Sequence, residues 1–413
     1  MKENSIIRIH DCYILRDGKI IKEDLWIRNG VIVNPEQIFY VEQAEADHTI
    51  KAFENLLIAP GFIDIQINGG WGIDFSYDSD NVEHGVKTVA KKLLAHGVTS
   101  FCPTMVTSDK DKYAKILPKI KKAQGGPEGA TVLGVHLEGP FISLAKKGAH
   151  ADEYIRNPDK GLESLEEVYG SLDNVNIVTI APELPGALDA IKGLTKKGIK
   201  VALGHSSASL AEGEDGVKSG ANLITHLFNA MLPFHHRDPG LVGLLASTTE
   251  RQVYYGIISD GIHTHPAALR IACRTNRDGL VLVSDAFAAQ GLADGTYRIG
   301  PMAVSVDNGR AYVAGTKTLC GSTTALDECV KTFKESTDCT LEYALQTASL
   351  HPAKALGIDH KKGNLNFGCD ADFVVLHPKT LKVMSTWING EMVFVDEEIS
   401  ITNIQLNAKN LTR

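Results

Sequence analysis

TVLGVHLE, residues 131–138, is apolar for most of its length and then presents His136 and Glu138 within its last three positions. Three other stretches have the same form: IKVALG (199–204) stands before His205, ANLIT (221–225) before His226, and GLVLVS (279–284) before Asp285. Continuous Val/Ile/Leu runs belong to strands buried on both faces, which is the condition of a parallel sheet. Glu138, His205 and His226 together are a ligand set for a first-row metal, so metal-assisted chemistry is expected.

Working outward, further strands are expected at FIDIQI (62–67), VTSFCPT (98–104), VNIVTIA (175–181) and VYYGIIS (253–259), besides KVALG, NLITH and LVLVSD within the stretches above. Eight strands result. Segments such as 82–96 and 185–197 are long enough for the crossover helices that parallel strands require. Eight βα repeats over about 300 residues match a (β/α)8 TIM-like barrel in count and size. A doubly wound sheet competes, and periodicity alone does not separate the two. The barrel demands that functional groups gather at strand C-terminal ends, where Gln66, Asn68, Glu138, His205, His226, Asp260, His263 and Asp285 fall. Strand interiors are nearly free of such groups.

Residues 1–59 alternate apolar and polar positions around Asp17-Gly18 and Asn29-Gly30, dipeptides that favour tight hairpin turns. The same texture returns near the end, where Asn389-Gly390 is a third hairpin signal. The expected division is a β domain from 1–59 and 360–413 and a barrel over 60–359. Composition is that of a globular enzyme, 43% hydrophobic and 22% charged. The net charge of −8 and the lack of a dense basic block argue against nucleic acid or an anionic membrane as partner. No apolar run has signal-peptide or membrane-spanning length, so a cytoplasmic protein is expected. Seven dispersed cysteines suggest neither a disulfide framework nor a thiolate metal site.

APGFIDIQINGG (59–70), HLEGPFIS (136–143), KKGAH (146–150), GHSSAS (204–209), THLFNAM (225–231), HRDPG (236–240), SDGIH (259–263), VSDA (283–286) and LCGS (319–322) occur in order along the chain. This series resembles the amidohydrolase superfamily, in its subgroup of aminosugar-phosphate deacetylases. The resemblance implies a small β-sandwich beside the barrel, built from both chain ends. It implies deacetylation of N-acetyl-D-glucosamine 6-phosphate to D-glucosamine 6-phosphate and acetate. One divalent metal would be held by Glu138, His205 and His226, with zinc first and iron, cobalt or manganese as substitutes. Three protein ligands would leave a coordination position for water, whose pKa the metal lowers. Asp285 would take the water proton and pass it to the departing nitrogen, and His150 would contact the acetamido carbonyl. Substrate contacts carried over by the same motifs are Ala149, His150, Asn229, Ala230, Arg237, Asp260, Gly261, Ile262, His263, Leu319, Cys320 and Gly321. Arg237 would reach the active site of a neighbouring subunit, implying a homodimer.

Many amidohydrolases end the first strand with His-x-His, which holds a second metal, whereas this chain has Gln66-Ile67-Asn68. Neutral amides are weak ligands beside imidazole, so a single metal is expected, with Gln66 and Asn68 supporting the site from outside its ligand set. Two rival functions remain open. N-acetylgalactosamine 6-phosphate differs at one hydroxyl, and a catalytically inactive barrel could serve as a binding module. His136 reads as a packing residue or as a support of the site from outside its ligand set. His10, His48, His84, His96, His351, His360 and His377 lie away from the strand ends named above.

Overall fold

The computed structural model describes residues 4–52, 56–299, 302–316 and 319–397. Eight parallel strands form the body of the molecule: β1 (Phe62–Ile67), β2 (Val98–Val106), β3 (Val135–Glu138), β4 (Val175–Ile180), β5 (Lys200–Leu203), β6 (Leu223–Ile224), β7 (Tyr254–Ile258) and β8 (Leu280–Val283). Each pairs with the next in chain order, as a barrel requires and a doubly wound sheet forbids. All eight expected strands are present. The stretch 131–138 divides into Thr131–Val132 and Val135–Glu138, with Gly134 between them at φ +123°.

Closure between β8 and β1 is made at the C-terminal rim. The Asp285 amide donates to the Gln66 carbonyl at 2.9 Å, and the Asn68 amide to the Ala286 carbonyl at 2.6 Å. Lower in the same seam, Oδ1 of the fully buried Asp64 accepts from the amides of Gln66 (3.3 Å) and Ser284 (3.4 Å). A carboxylate there takes the place of a backbone carbonyl. Burial, only partly offset by the hydrogen bond with Ser284, pushes the Asp64 pKa up to about 7. The interior is also more polar than expected, because His136 is buried between the Ile65 carbonyl (3.0 Å) and Thr179 Oγ1 (2.8 Å).

Helices follow the strands and bury one face each, among them Val82–Leu93, Ala187–Lys196, Leu210–Ser219 and Leu326–Thr337. The helix from Leu210 starts at a reciprocal capping box between Ser209 and Glu212, which satisfies two otherwise free amides. No helix among the described residues is long and apolar enough to cross a membrane.

Both chain ends build two further sheets. One orders Val31–Ile32, Leu25–Arg28, Ile6–His10 and His48–Lys51; the other orders Glu391–Val395, Val383–Ile388, Phe373–Leu376, Leu57–Pro60, Tyr13–Arg16 and Lys19–Lys22. Ile7, Ile9, Ile14, Leu25, Ile27, Ile58, Phe373 and Val375 form a buried core drawn from both sheets. The three hairpins form at the expected dipeptides, each with two successive positive φ values: 50° and 73° at Asp17-Gly18, 51° and 77° at Asn29-Gly30, 52° and 72° at Asn389-Gly390. Residues 1–3, 53–55 and 398–413, which the expected β domain includes, lie outside the described residues.

Lys362 is a buried cation within this region. Its ammonium is 2.5 Å from Asp372 Oδ2 and 3.0 Å from Asp370, while the other Asp372 oxygen accepts the Asn389 amide. Burial lowers the Lys362 pKa, but the two carboxylates outweigh it and the net shift is upward; Asp372 is pushed up because burial outweighs its one cation. Two carboxylates on one ammonium leave the cluster short of positive charge. Lys362→Met is therefore expected to destabilise the protein by about 3–5 kcal/mol. A denaturant midpoint lowered at unchanged slope would show it, and a change under about 1 kcal/mol would contradict it.

A three-stranded antiparallel sheet, Gly295–Ile299, Met302–Asp307 and Arg310–Val313, follows β8. It was not expected. Its own apolar core joins Phe287, Ile299, Val304, Val306 and Cys320. All seven cysteines are free thiols, as expected.

Candidate metal centre

Glu138 is the last residue of β3, and His205 and His226 each lie two residues beyond β5 and β6. Their ligand atoms meet. Glu138 Oε1 stands 3.2 Å from Nε2 of His205 and 3.0 Å from Nε2 of His226, and the two imidazole nitrogens are 3.0 Å apart. Ligands bound at 2.0–2.2 Å to a tetrahedral ion lie about 3.3 Å from one another, so the triangle has nearly the dimensions of a three-ligand metal site. Nδ1 of His205 is 2.9 Å from the Lys146 carbonyl, which can only accept. Nδ1 is therefore protonated, which leaves Nε2 as the nitrogen that would face a cation.

The electrostatics match that geometry. Burial pushes the Glu138 pKa up, but its hydrogen bonds to His205 and His226 and their charge carry it well below the usual range. Burial lowers His226, yet the Glu138 carboxylate overrides it and the pKa rises to about 9. These shifts mark a place among the three groups that favours positive charge, as a cation site would. One carboxylate and two imidazoles fit a divalent first-row ion.

His205, His226 and Asp285 all have left-handed backbones, with φ of 46°, 27° and 44°. Such conformations are uncommon outside glycine and cost of order 1–3 kcal/mol each. Here they turn the chain at strand ends so that the side chains point across the barrel mouth.

Gln66 and Asn68 join the cluster through their amide nitrogens. Gln66 Nε2 donates to Glu138 Oε1 (3.0 Å) and to Asp285 Oδ1 (3.1 Å), and Asn68 Nδ2 donates to the same Asp285 oxygen at 2.9 Å. In this pose both residues act as donors to the carboxylates of the cluster. Asp285 Oδ1 is thereby held, and Oδ2 makes no hydrogen bond among the described residues. Enclosure, reinforced by the Glu138 carboxylate, pushes the Asp285 pKa up to about 7 against the opposing pull of His226, His263 and Asn68.

His150 is buried beside His205, with ring centroids 4.5 Å apart. One of its nitrogens lies within 4.8 Å of ligand atoms of both Glu138 and His205, so Glu138, His150 and His205 form a second conceivable ligand set. The tighter triangle, at 3.0–3.2 Å, is the one with His226. Burial and the nearby charge of His205 lower the His150 pKa to about 3, leaving a neutral ring.

His263 forms a dyad with Asp260, Nδ1 to Oδ2 at 2.6 Å, while the other Asp260 oxygen accepts the amides of Ile262 and His263 at 2.8 Å. Burial alone would lower the His263 pKa, but Asp260 raises it, which favours an imidazolium. Asn229 and Ala230 follow His226 in a turn closed by the Asn229 amide on the His226 carbonyl, and the Ala230 carbonyl accepts the Ser206 amide. Leu319, Cys320 and Gly321 sit at the base of the three-stranded sheet; the Cys320 amide bonds to the Ala311 carbonyl, and Gly321 lies on the Phe287 ring. Gly261, Ala149 and Arg237 are exposed, and the Arg237 side chain makes no hydrogen bond or ion pair among the described residues.

Sequence reasoning missed three supports of this centre. Tyr113 and Tyr169 direct their hydroxyls at the Gly139 carbonyl, behind Glu138, at 3.1 and 2.9 Å. Thr107, just past β2, touches His150. A buried Tyr inside an apolar run or a Thr at a strand end has no spacing signature that could have revealed them.

A closed (β/α)8 barrel with a carboxylate–imidazole cluster and an acid at its C-terminal rim defines a metal-dependent hydrolase framework. The chain belongs to the amidohydrolase family, whose family model matches residues 57–404. Among its relatives, an N-acetylglucosamine-6-phosphate deacetylase of Danio rerio is 54% identical over 393 residues, 94% of this chain and 97% of that protein. The Homo sapiens protein of the same name is 53% identical over 94% of this chain and 96% of its own length. The crystal structure of an N-acetylglucosamine-6-phosphate deacetylase from Pasteurella multocida superposes with a TM-score of 0.82 at 29% identity, covering 95% of this chain and all of that one.

Proposed function

We propose that the chain hydrolyses the acetamide of N-acetyl-D-glucosamine 6-phosphate to glucosamine 6-phosphate and acetate, as a cytoplasmic enzyme with one divalent cation, zinc first, per subunit. The observation that carries this reading is the buried triangle of Glu138, His205 and His226 with Asp285 facing it across the barrel mouth. A divalent cation in that triangle supplies Lewis acidity and makes water a competent nucleophile near neutral pH.

The remaining work falls to side chains. Asp285, held through Oδ1 by Gln66 and Asn68, takes the proton of the attacking water on its free oxygen and returns it to the amine as the C–N bond breaks. His150 donates to the acetamido oxygen as charge develops there. His263, kept cationic by Asp260, and the backbone around Asn229 and Ala230 receive the phosphate; Arg237 of a second subunit completes that pocket, consistent with its exposure in a single chain. Ala149, Gly261, Ile262, Leu319, Cys320 and Gly321 line the sugar. The chain divides near residues 60 and 360 into this catalytic barrel and a β domain.

The test is acetate release from the gluco and galacto epimers, on protein of measured metal content and after chelation. Release from the gluco epimer that chelation abolishes and added metal restores is expected. Faster turnover of the galacto epimer would move the assignment to that sugar, and no release from either would favour a binding module.

A further inference from the structure

The environment of His150 constrains which ring nitrogen bears its proton. Nδ1 lies 3.3 Å from the backbone amide of Thr107, whose N–H is aimed at it, and 2.7 Å from the Thr107 hydroxyl. An amide N–H has no lone pair to offer, so it can only donate. A protonated Nδ1 would set two N–H groups against each other in a buried place. The hydroxyl can turn to donate as well, which leaves Nδ1 as acceptor and Nε2 as the only nitrogen able to hold the proton of a neutral ring. Nε2 has no hydrogen-bond partner among the described residues.

The local chain is built around this pair. Thr107 and His150 are both buried, at 1% and 8% exposure. A Cβ at Gly139, whose φ is +82°, would stand 2.1 Å from Thr107 Oγ1 and 3.3 Å from His150 Nδ1. The residue directly after Glu138 must therefore lack a side chain for the Thr107–His150 contact to exist.

We infer that Thr107 is a positioning residue: by donating to Nδ1 it locks His150 in the tautomer whose Nε2–H points into the pocket. A nitrogen carrying a proton cannot ligate a metal. The inference thus removes His150 from the ligand set, although it lies near Glu138 and His205, and assigns it to hydrogen-bond donation toward the acetamide oxygen. It rests on the reaction proposed above.

Two measurements test it. In holoenzyme labelled with 15N-histidine, a long-range proton–nitrogen correlation, assigned by the signals missing from a His150→Gln variant, is expected to show Nδ1 unprotonated and Nε2 protonated. A protonated Nδ1 overturns the inference. This spectrum needs no substrate, so it decides the tautomer even if the proposed reaction fails. In steady-state kinetics on N-acetylglucosamine 6-phosphate, Thr107→Val is expected to lower kcat about tenfold, the worth of roughly one hydrogen bond. KM and the metal-to-protein ratio should hold, and Thr107→Ser should recover most of the rate. Loss of metal in Thr107→Val or His150→Gln, or a Thr107→Ser variant no better than Thr107→Val, overturns it.

Discussion

Glu138→Gln is expected to lose bound metal and catalytic activity together. Glu138 is the only anion of the ligand triangle, and its Oε1 is 3.0–3.2 Å from both imidazole nitrogens and from the Gln66 amide. An amide at this position is a far weaker ligand than a carboxylate and brings no negative charge to balance the cation. His226 would also lose the group that raises its pKa to about 9. Because the metal contributes several kcal/mol of charge stabilisation, the rate should fall on the order of 10³–10⁴-fold. Elemental analysis of purified protein alongside acetate release checks both halves. A variant that kept stoichiometric metal, or that stayed active without it, would remove Glu138 from the centre.

Asp285→Asn should separate the metal from the proton transfer. The carbonyl oxygen of the new side chain can still accept from Gln66 and Asn68, so the local arrangement is preserved while the base is lost. We expect kcat to fall about 10²–10⁴-fold with metal content unchanged. In the proposed reaction Asp285 works ionised, so activity in the parent enzyme should decline as pH drops through its pKa, which a bound cation would move below the value of about 7 set by the protein alone. That acid limb should be missing from the residual activity of the variant. Rate–pH profiles of the two proteins give the answer, and an unaltered acid limb would assign the proton transfer to another group.

The legible parts of this chain were those whose cause is local. Each barrel strand is a run of apolar residues, and the hairpins at Asp17-Gly18, Asn29-Gly30 and Asn389-Gly390 follow from the positive φ that glycine and asparagine tolerate. Placement of Glu138, His205, His226 and Asp285 at strand ends was legible because a polar residue closing a buried run is conspicuous. The three-stranded sheet at 295–313 was overlooked, though Asn308-Gly309, at φ 49° and 69°, is the same turn signal. Asp64 and His136 stand inside strands with roles the sequence did not disclose, because the Ser284 amide and Thr179 reach them only when the barrel closes. Thr107 is of the same kind: its significance lies in a contact with His150, 43 residues away along the chain.

Strand Leu57–Pro60, which leads directly into the barrel, lies between Tyr13–Arg16 and Phe373–Leu376, the latter contributed by sequence more than 300 positions downstream. During synthesis on the ribosome, one edge of that strand stays unpaired until residues 373–376 have emerged. The nascent chain thus carries an open β edge while more than 300 residues are added, a state prone to misassociation and a natural target for chaperones. A premature stop shortly before residue 373 would leave every residue proposed for catalysis in place and yet yield a protein that cannot complete its second sheet.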